Sequence, residues 1–347
     1  MIIFTGLICF FLAFLQYSHA ENDQLVDLET FSQDFVLETK KIEIPGHAFA
    51  LNPSIIRWQG QLLMSFRVVP DPKKNFSTEI GLVFLNEDFE PSNVPQLLNL
   101  RDEDAVAPPR IGDARLITIG NRLFLIYDDN PEFKISKGGF RMYVAEIFYT
   151  DEHFIVDNIE RLSHFEGESK EIREKNWVPF IYQDTLLLAY TLKPHKIFFP
   201  RLDGSEICDT IASTEESGRW DYGVLRGGTP AFLENDQYLS FFHTSKKMAS
   251  VHSKGKEILH YFIGAYTFSK EPPFTITAMS QEPIIGKNFY HGIHYEKPYW
   301  GTVRCVFPCG FISDPDFIWL AYGRDDHECW IAKLDKHMLL QTLVPVN

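Results

Sequence analysis

One layout recurs five times along this chain, and it restricts the fold more than any other feature. In Ile111–Asp129 a polar loop carrying Gly112, Asp113 and Arg115 leads into an apolar strand, Leu116–Ile119. A Gly120-Asn121 turn follows, then a second strand, Leu123–Tyr127, and an acidic end, Asp128 and Asp129. β-Branched and aromatic residues around a Gly-Asn turn are a hairpin signal. Asn52-Pro53 opens a second copy, which closes on Arg67. A third begins at Glu174-Lys175-Asn176-Trp177 and ends near Thr191, Lys193 and His195. A fourth runs from Arg226-Gly227-Gly228-Thr229-Pro230 to His243, and a fifth from Val306-Phe307-Pro308-Cys309-Gly310 to Arg324, Asp325 and Asp326.

Hairpins with polar ends, their turns roughly 50 to 80 residues apart, predict an all-β repeat architecture, a five-bladed β-propeller. If the first strand of each hairpin leaves one face, the second returns to it. Five such ends converge on an axis. Asn52, Arg67, Asp113, Arg115, Asp128, Lys175, His243 and Asp326 are therefore expected to ring one polar funnel.

Residues 1–20 are almost wholly apolar and end in Ser18-His19-Ala20, the pattern of a cleaved secretory signal peptide. Their apolar run is shorter than the roughly 20 residues that span a bilayer. The expectation is an exported protein, free of the membrane after cleavage, with residues 21–347 as one domain. Among 347 residues, 45% are hydrophobic and 14% aromatic, including 30 Phe, which suits a large β-structured core. The net charge of −14 argues against a nucleic-acid backbone or an anionic membrane surface as partner, yet permits a local basic funnel that binds phosphate. Cys305 and Cys309, in an extended run, fall about 13 Å apart, beyond disulfide reach. No CxxC or HExxH motif is present, and no metal site is expected. Asn75-Phe76-Ser77 is a glycosylation sequon. The charged run Glu166–Glu174 reads as a solvated loop. An acidic N-terminal lead-in precedes a strand at Phe35–Ile44, which in a closed propeller completes the last blade.

Residue by residue, simpler roles compete. Asp113 after Gly112 also fits an Asx-turn, Lys175 a loop lysine, and His243 a packed histidine. Trp177 and Trp220 suit either sugar stacking or the core.

The hairpin ends together resemble glycoside hydrolase family 130, the mannoside phosphorylases and β-mannosidases, and the related β-1,2-mannosyltransferase/phosphorylase proteins. The resemblance rests on Asn52-Pro53 with Arg67, Gly112-Asp113-Ala114-Arg115, Glu174-Lys175-Asn176-Trp177, Gly227-Gly228-Thr229-Pro230 with His243, Val306–Gly310, and Tyr322-Gly323-Arg324-Asp325-Asp326. It spans nearly the whole mature chain and implies a five-bladed propeller acting on an oligosaccharide or glycan. By that resemblance Asp113 is the general acid. Asn52, Arg67, Arg115, Asp128, Asn176 and Asp326 bind sugar, and Lys175 and His243 bind phosphate. The family's Glu and Pro beside the acid are here Gly112 and Ala114. A His-Arg pair at the third hairpin's end is replaced by Ala189–His195, so Lys193, His195 or Arg226 has to supply the missing cation. No resident cofactor is implied; inorganic phosphate, a sugar phosphate or a nucleotide sugar would be a co-substrate. An inverting hydrolase, with a second carboxylate from Asp128, Asp129, Glu174 or Asp326, and a non-catalytic glycan- or protein-binding propeller are the alternatives.

Overall fold

A computed structural model describes residues 25–70, 77–101, 108–131, 139–169, 172–215, 218–292 and 303–346. The leader at 1–20 and Asn75 of the sequon lie outside them. The protein is all-β with a propeller arrangement. Four sheets have the regular four-stranded blade form. The first is an antiparallel meander of Ala50–Trp58, Gln61–Val68, Glu79–Leu85 and Gln96–Leu97, and the second of Gly112–Ile119, Arg122–Asp129, Arg141–Thr150 and His153–Leu162. The third comprises Val178–Tyr182, Thr185–Leu192, His195–Pro200 and Cys208–Thr214. In the last, Val306–Ser313, Phe317–Arg324 and Glu328–Asp335 are completed by the N-terminal strand Val36–Ile42, which pairs antiparallel with Glu328–Asp335. The two chain ends thus close on each other, as a propeller requires.

The fourth hairpin departs from the expectation of five like blades. It lies in a seven-stranded sheet built on two long partners, Gln237–Met248 and Ile258–Ser269, paired over twelve positions. The lead-in there contains Pro230, which cannot donate to a ladder. The pairing breaks into two short pieces, Arg226–Gly227 and Phe232–Glu234, on either side of it. Val303–Arg304 and Val344–Pro345 add to the same sheet.

The first strands of the meanders touch one another at the centre, while their Phe-, Leu- and Ile-rich faces pack between neighbouring sheets. A shared backbone device marks the inner ends. Asn52, Asp113 and Asn176 have φ of 50°, 46° and 64°. In the first two the ladder register shifts at that residue, and a third shift falls at Pro308–Gly310. Asn and Asp are the non-glycine residues that best tolerate this left-handed region. The bulge turns each side chain out of the ladder toward the axis.

Candidate active site

Asp113 is 6% exposed. Its Oδ1 accepts from Asn52 Nδ2 at 2.8 Å and from an Arg67 guanidinium nitrogen at 3.3 Å. Lys175 Nζ lies 3.9 Å from Oδ2. Burial alone pushes this carboxyl up, but Lys175, Arg67, Arg115 and the Asn52 amide outweigh it and hold it well below the usual carboxylate range. The empty site therefore holds a carboxylate, not a carboxylic acid. Asn52 is seated by Gly323 of the last sheet, where any Cβ would strike the Asn52 amide oxygen.

Lys175 also pairs with Asp128 Oδ2 at 2.9 Å. Asp128 faces Gly112 across the ladder, and a Cβ at Gly112 would sit 3.0 Å from that carboxylate. Burial, with Asp113 adding to it, raises Asp128 above its ordinary value in spite of Lys175. One ammonium thus bridges two buried acids whose protons are pushed in opposite directions. The Lys175 ammonium also lies 4.3 Å from the centre of the Phe140 ring, and the guanidiniums of Arg110 and Arg173 each lie 5.5 Å from it. Burial lowers the Arg110 guanidinium, and the like charges of Arg67 and Arg173 lower it further. Arg110, Arg173 and Phe140 were not legible as site residues; Arg173 read as part of a solvated charge run. Only the fold brings this run against the second sheet.

Beside this cluster is a cleft of about 580 Å³ between the third and the seven-stranded sheets, lined by Ile172–Trp177, Tyr190, Thr191 and Leu225–Gly227. It contains Lys175 and Asn176, so it adjoins Asp113 without including it. Arg226 is exposed on its wall and pairs in register with His243. His243 is 3% exposed, and its Nδ1 donates to the Gly227 carbonyl at 2.9 Å. Burial, then Arg115 and Arg226, bring its imidazole down to about 3. The ring is neutral at pH 7, and its Nε2 is left an acceptor. Without an anion beside it His243 is therefore a neutral acceptor rather than a cation; it suits a hydroxyl or a protonated phosphate oxygen. Tyr261 stacks on it at 6.0 Å, and the phenol is raised by burial, then by Cys305, Asp326 and Asp113 against Arg226. Tyr261 thus stands where the second, seven-stranded and last sheets converge, another residue that the hairpin pattern missed. Asp326 is half-buried in the turn it shares with Asp325 and belongs to this group.

Several expected ligands are placed elsewhere. Arg115, which the resemblance gives to sugar, has no exposed surface. It donates to the Asp113 carbonyl at 2.6 Å, to Asn176 Oδ1 at 3.1 Å and to the Gly228 carbonyl, tying three sheets together. Asn176 is 6% exposed, spends its oxygen on that strut, and still lines the cleft. His195 is fully buried against Tyr266 and Phe268, with Nδ1 donating to Phe274 O at 2.7 Å, so it is a core residue where the third sheet packs on the seven-stranded one. Lys193 is exposed and reaches the Gly218 carbonyl at 3.5 Å. Asp129 is held by Arg101 at 2.9 Å and by backbone N–H groups. Trp177 is 1% exposed, edge-on to Phe165 and Tyr190, and Trp220 packs on Phe242; neither offers an open sugar platform. Glu174, 1% exposed, accepts from Trp177 Nε1 at 3.3 Å, and burial raises it to about 7.

Among the described residues, Glu29, His252 and His291 bring three metal-capable atoms within 4.8 Å. Both Glu29 oxygens already accept N–H groups from Asn288, Tyr290 and His291, and His252 Nε2 accepts from Leu28 N. Those lone pairs anchor the N-terminal segment.

No protein-family model matches the chain, and no curated protein matches it in sequence. Solved structures match its fold. One is MPT-4, a mannose phosphorylase from Leishmania mexicana in complex with phosphate ion, with 12% identity, covering 88% of this chain and 91% of that one, at a TM-score of 0.57. Another is the β-1,2-mannobiose phosphorylase of Listeria innocua in complex with β-1,2-mannobiose, with 15% identity, covering 93% and 98%, at a TM-score of 0.54. A third comes from the GH130 family of mannoside phosphorylases, which contains glycoside hydrolases that target β-1,2 mannosidic linkages in Candida mannan (11% identity, 84% and 85% covered, TM-score 0.57). The fold of this chain is thus similar to that of GH130 mannoside phosphorylases.

Proposed function

We propose that the chain is a carbohydrate-active enzyme of the phosphorylase or glycosyl-transfer type, acting on β-mannosidic bonds with Asp113 as general acid. The observation that carries this reading is one buried carboxylate, Asp113, facing an ammonium that it shares with Asp128 beneath a cluster of arginines. In this reading the seven-stranded sheet counts as the fifth blade, and residues 1–20 are removed on export. Arg67, Asp326 and Asn52 face the sugar, and Lys175, with Arg110 over the same Phe140 ring in place of the family's missing arginine, faces inorganic phosphate. Inorganic phosphate attacks the anomeric carbon from the face opposite the leaving oxygen, the C–O glycosidic bond breaks, and the Asp113 proton passes, directly or through a sugar hydroxyl, to the departing glycosidic oxygen, which leaves as a hydroxyl. Asp113 needs that proton first. A phosphate anion beside Lys175 offsets the cations that keep the carboxyl ionised, so co-substrate binding itself raises its affinity for a proton.

Asp128 is a poor second carboxylate for hydrolysis. Two acids on one ammonium are at most about 7 Å apart, at the short end of the roughly 6.5–9.5 Å that an inverting hydrolase needs for its water, and Lys175 occupies the gap. The test is a product assay with β-1,2-mannobiose. Mannose 1-phosphate formed only with added phosphate, and lost in Asp113→Asn, is the expected result. Free mannose formed regardless of phosphate would mean hydrolysis.

A further inference from the structure

The cleft beside Lys175 has a charge pattern that the reaction at Asp113 does not use up. Lys175 is already paired with Asp128. Arg173 and Arg226 are both exposed on its wall, and neither makes an ion pair or a side-chain hydrogen bond among the described residues. Among the described residues the one carboxyl on the wall, Glu174, is buried and bound to Trp177. Its pKa near 7 leaves it a weak counter-charge at neutral pH. In a chain of net charge −14, two unpaired guanidiniums on one wall are an anion site. The planar guanidinium fork favours phosphate, which it can grip with two parallel hydrogen bonds.

Size and lining say that more than a bare anion fits. About 580 Å³ lies within the ~300–1,000 Å³ typical of sites for small organic ligands. The rest of the wall includes Ile172, Leu225 and the partly exposed Tyr190, surfaces suited to a pyranose face rather than to a free ion. Resting on the reading above, we propose that this cleft is a subsite for a phosphorylated glycosyl unit of the substrate, its phosphate monoester held by Arg173 and Arg226. Lys175 and Asn176 join it to the bond cleaved at Asp113. The enzyme would then select glycans carrying phosphate over neutral ones.

Calorimetric titration of the purified protein with mannose 6-phosphate, mannose and inorganic phosphate tests this. Mannose 6-phosphate is expected to bind at least about tenfold tighter than either other probe. Arg173→Gln and Arg226→Gln are each expected to weaken it about tenfold, the loss of one charge-assisted contact. Arg173 lies on an exposed loop, so its variant keeps the fold if Arg226→Gln does not. Inorganic phosphate binding as tightly as mannose 6-phosphate would overturn the proposal and make the cleft a co-substrate site only. Undiminished binding in folded Arg173→Gln protein would overturn it as well. Arginine-dependent binding without turnover of any mannoside would sink the proposed reaction and leave the cleft standing. Asp113-dependent turnover with no preference for the sugar phosphate would do the reverse.

Discussion

Two charge clusters sit at hairpin ends of this molecule, and they are finished differently. In the last sheet Glu328 accepts from Arg324 at 2.7 and 2.8 Å and from Trp330 Nε1 at 2.9 Å, while Lys41 approaches its other oxygen at 3.4 Å. The Arg324 guanidinium also lies 3.9 Å from the Trp330 ring centre and donates to Asn288 O. Each charge in that cluster meets a fixed partner of the same chain. Around Asp113 the accounting stays open. Asn52 Oδ1 and Arg67 Nε are buried without a partner, and arginines face one another across Phe140. Buried polar groups are normally satisfied, so the open cluster is where a ligand has work to do. The closed one holds the blade together.

The first way to break this contrast is Asp113→Asn. Asn tolerates the φ of 46° and keeps the side-chain volume, but cannot donate the catalytic proton. Turnover is expected to fall by up to ~10⁴-fold, the upper range for a general acid. Lys175 keeps Asp128, so the far-ultraviolet circular dichroism spectrum should be unchanged. A variant with near wild-type turnover would remove Asp113 from the chemistry.

Glu328→Gln is the counterpart in the closed cluster. It strands the buried Arg324 without an anion, which typically costs ~3–5 kcal/mol. Although burial pushes the Glu328 carboxyl up, Trp330 and Arg324 hold it below its ordinary value. Its contribution is therefore present above its unfolded pKa and lost as pH falls through the folded one. Denaturant unfolding at pH 7 should show a larger loss for Glu328→Gln than for Asp113→Asn. The reverse order would mean that the Asp113 cluster is structural.

The sequence reveals the repeat and the ring more readily than the wiring. Leu116–Ile119 and Leu123–Tyr127 were visible as strands because alternation and a Gly-Asn turn are local signals; they extend to Gly112–Ile119 and Arg122–Asp129. Asn52, Asp113 and Lys175 were found by their place at hairpin ends. The gap in the resemblance at the third hairpin's end made His195 a candidate for the missing cation. It stands at a hairpin end too, but the third sheet's second pair leans on the seven-stranded sheet, and the ring is buried there. The resemblance gives Arg115 to sugar, and sequence cannot tell an arginine that faces an axis from one that, like this one, crosses it. Arg110, Arg173, Phe140 and Tyr261 come from outside the repeated ends, so no periodicity points to them.

Glu174 sharpens the contrast through pH. Burial raises its carboxyl from 4.5 to about 7, so the folded state binds a proton more tightly than the unfolded chain, and stability falls as pH rises from 4.5 to 7. His195, brought down by burial to about 4, and His243 act oppositely: the folded state resists their protonation, and stability falls as pH drops below 6.5. Glu174→Gln keeps an acceptor for Trp177 and should remove the first slope, up to ~3 kcal/mol between pH 5 and 7.5. The acid-side slope should remain. Thermal melts of both proteins across that range check it. A slope that survives the substitution would assign it to Asp128 or Asp325, the other carboxyls that burial raises.

The smallest expected effect belongs to Lys193→Ala. Lys193 occupies the hairpin end where the resemblance loses its arginine, and position alone nominates it as the replacement. Its ammonium is exposed and turned to the Gly218 carbonyl. Lys175 and Arg110 already lie over the Phe140 ring beside Asp113. If membership of the site follows wiring rather than place in the repeat, removing Lys193 should shift stability within ~0.5 kcal/mol. It should also leave the KM for phosphate within about twofold, because an exposed lysine turned to a backbone carbonyl contributes little through screened charge. A tenfold rise in that KM would mean that the loop after the third hairpin folds onto the ligand. The open cluster would then extend one blade further than its resting geometry shows.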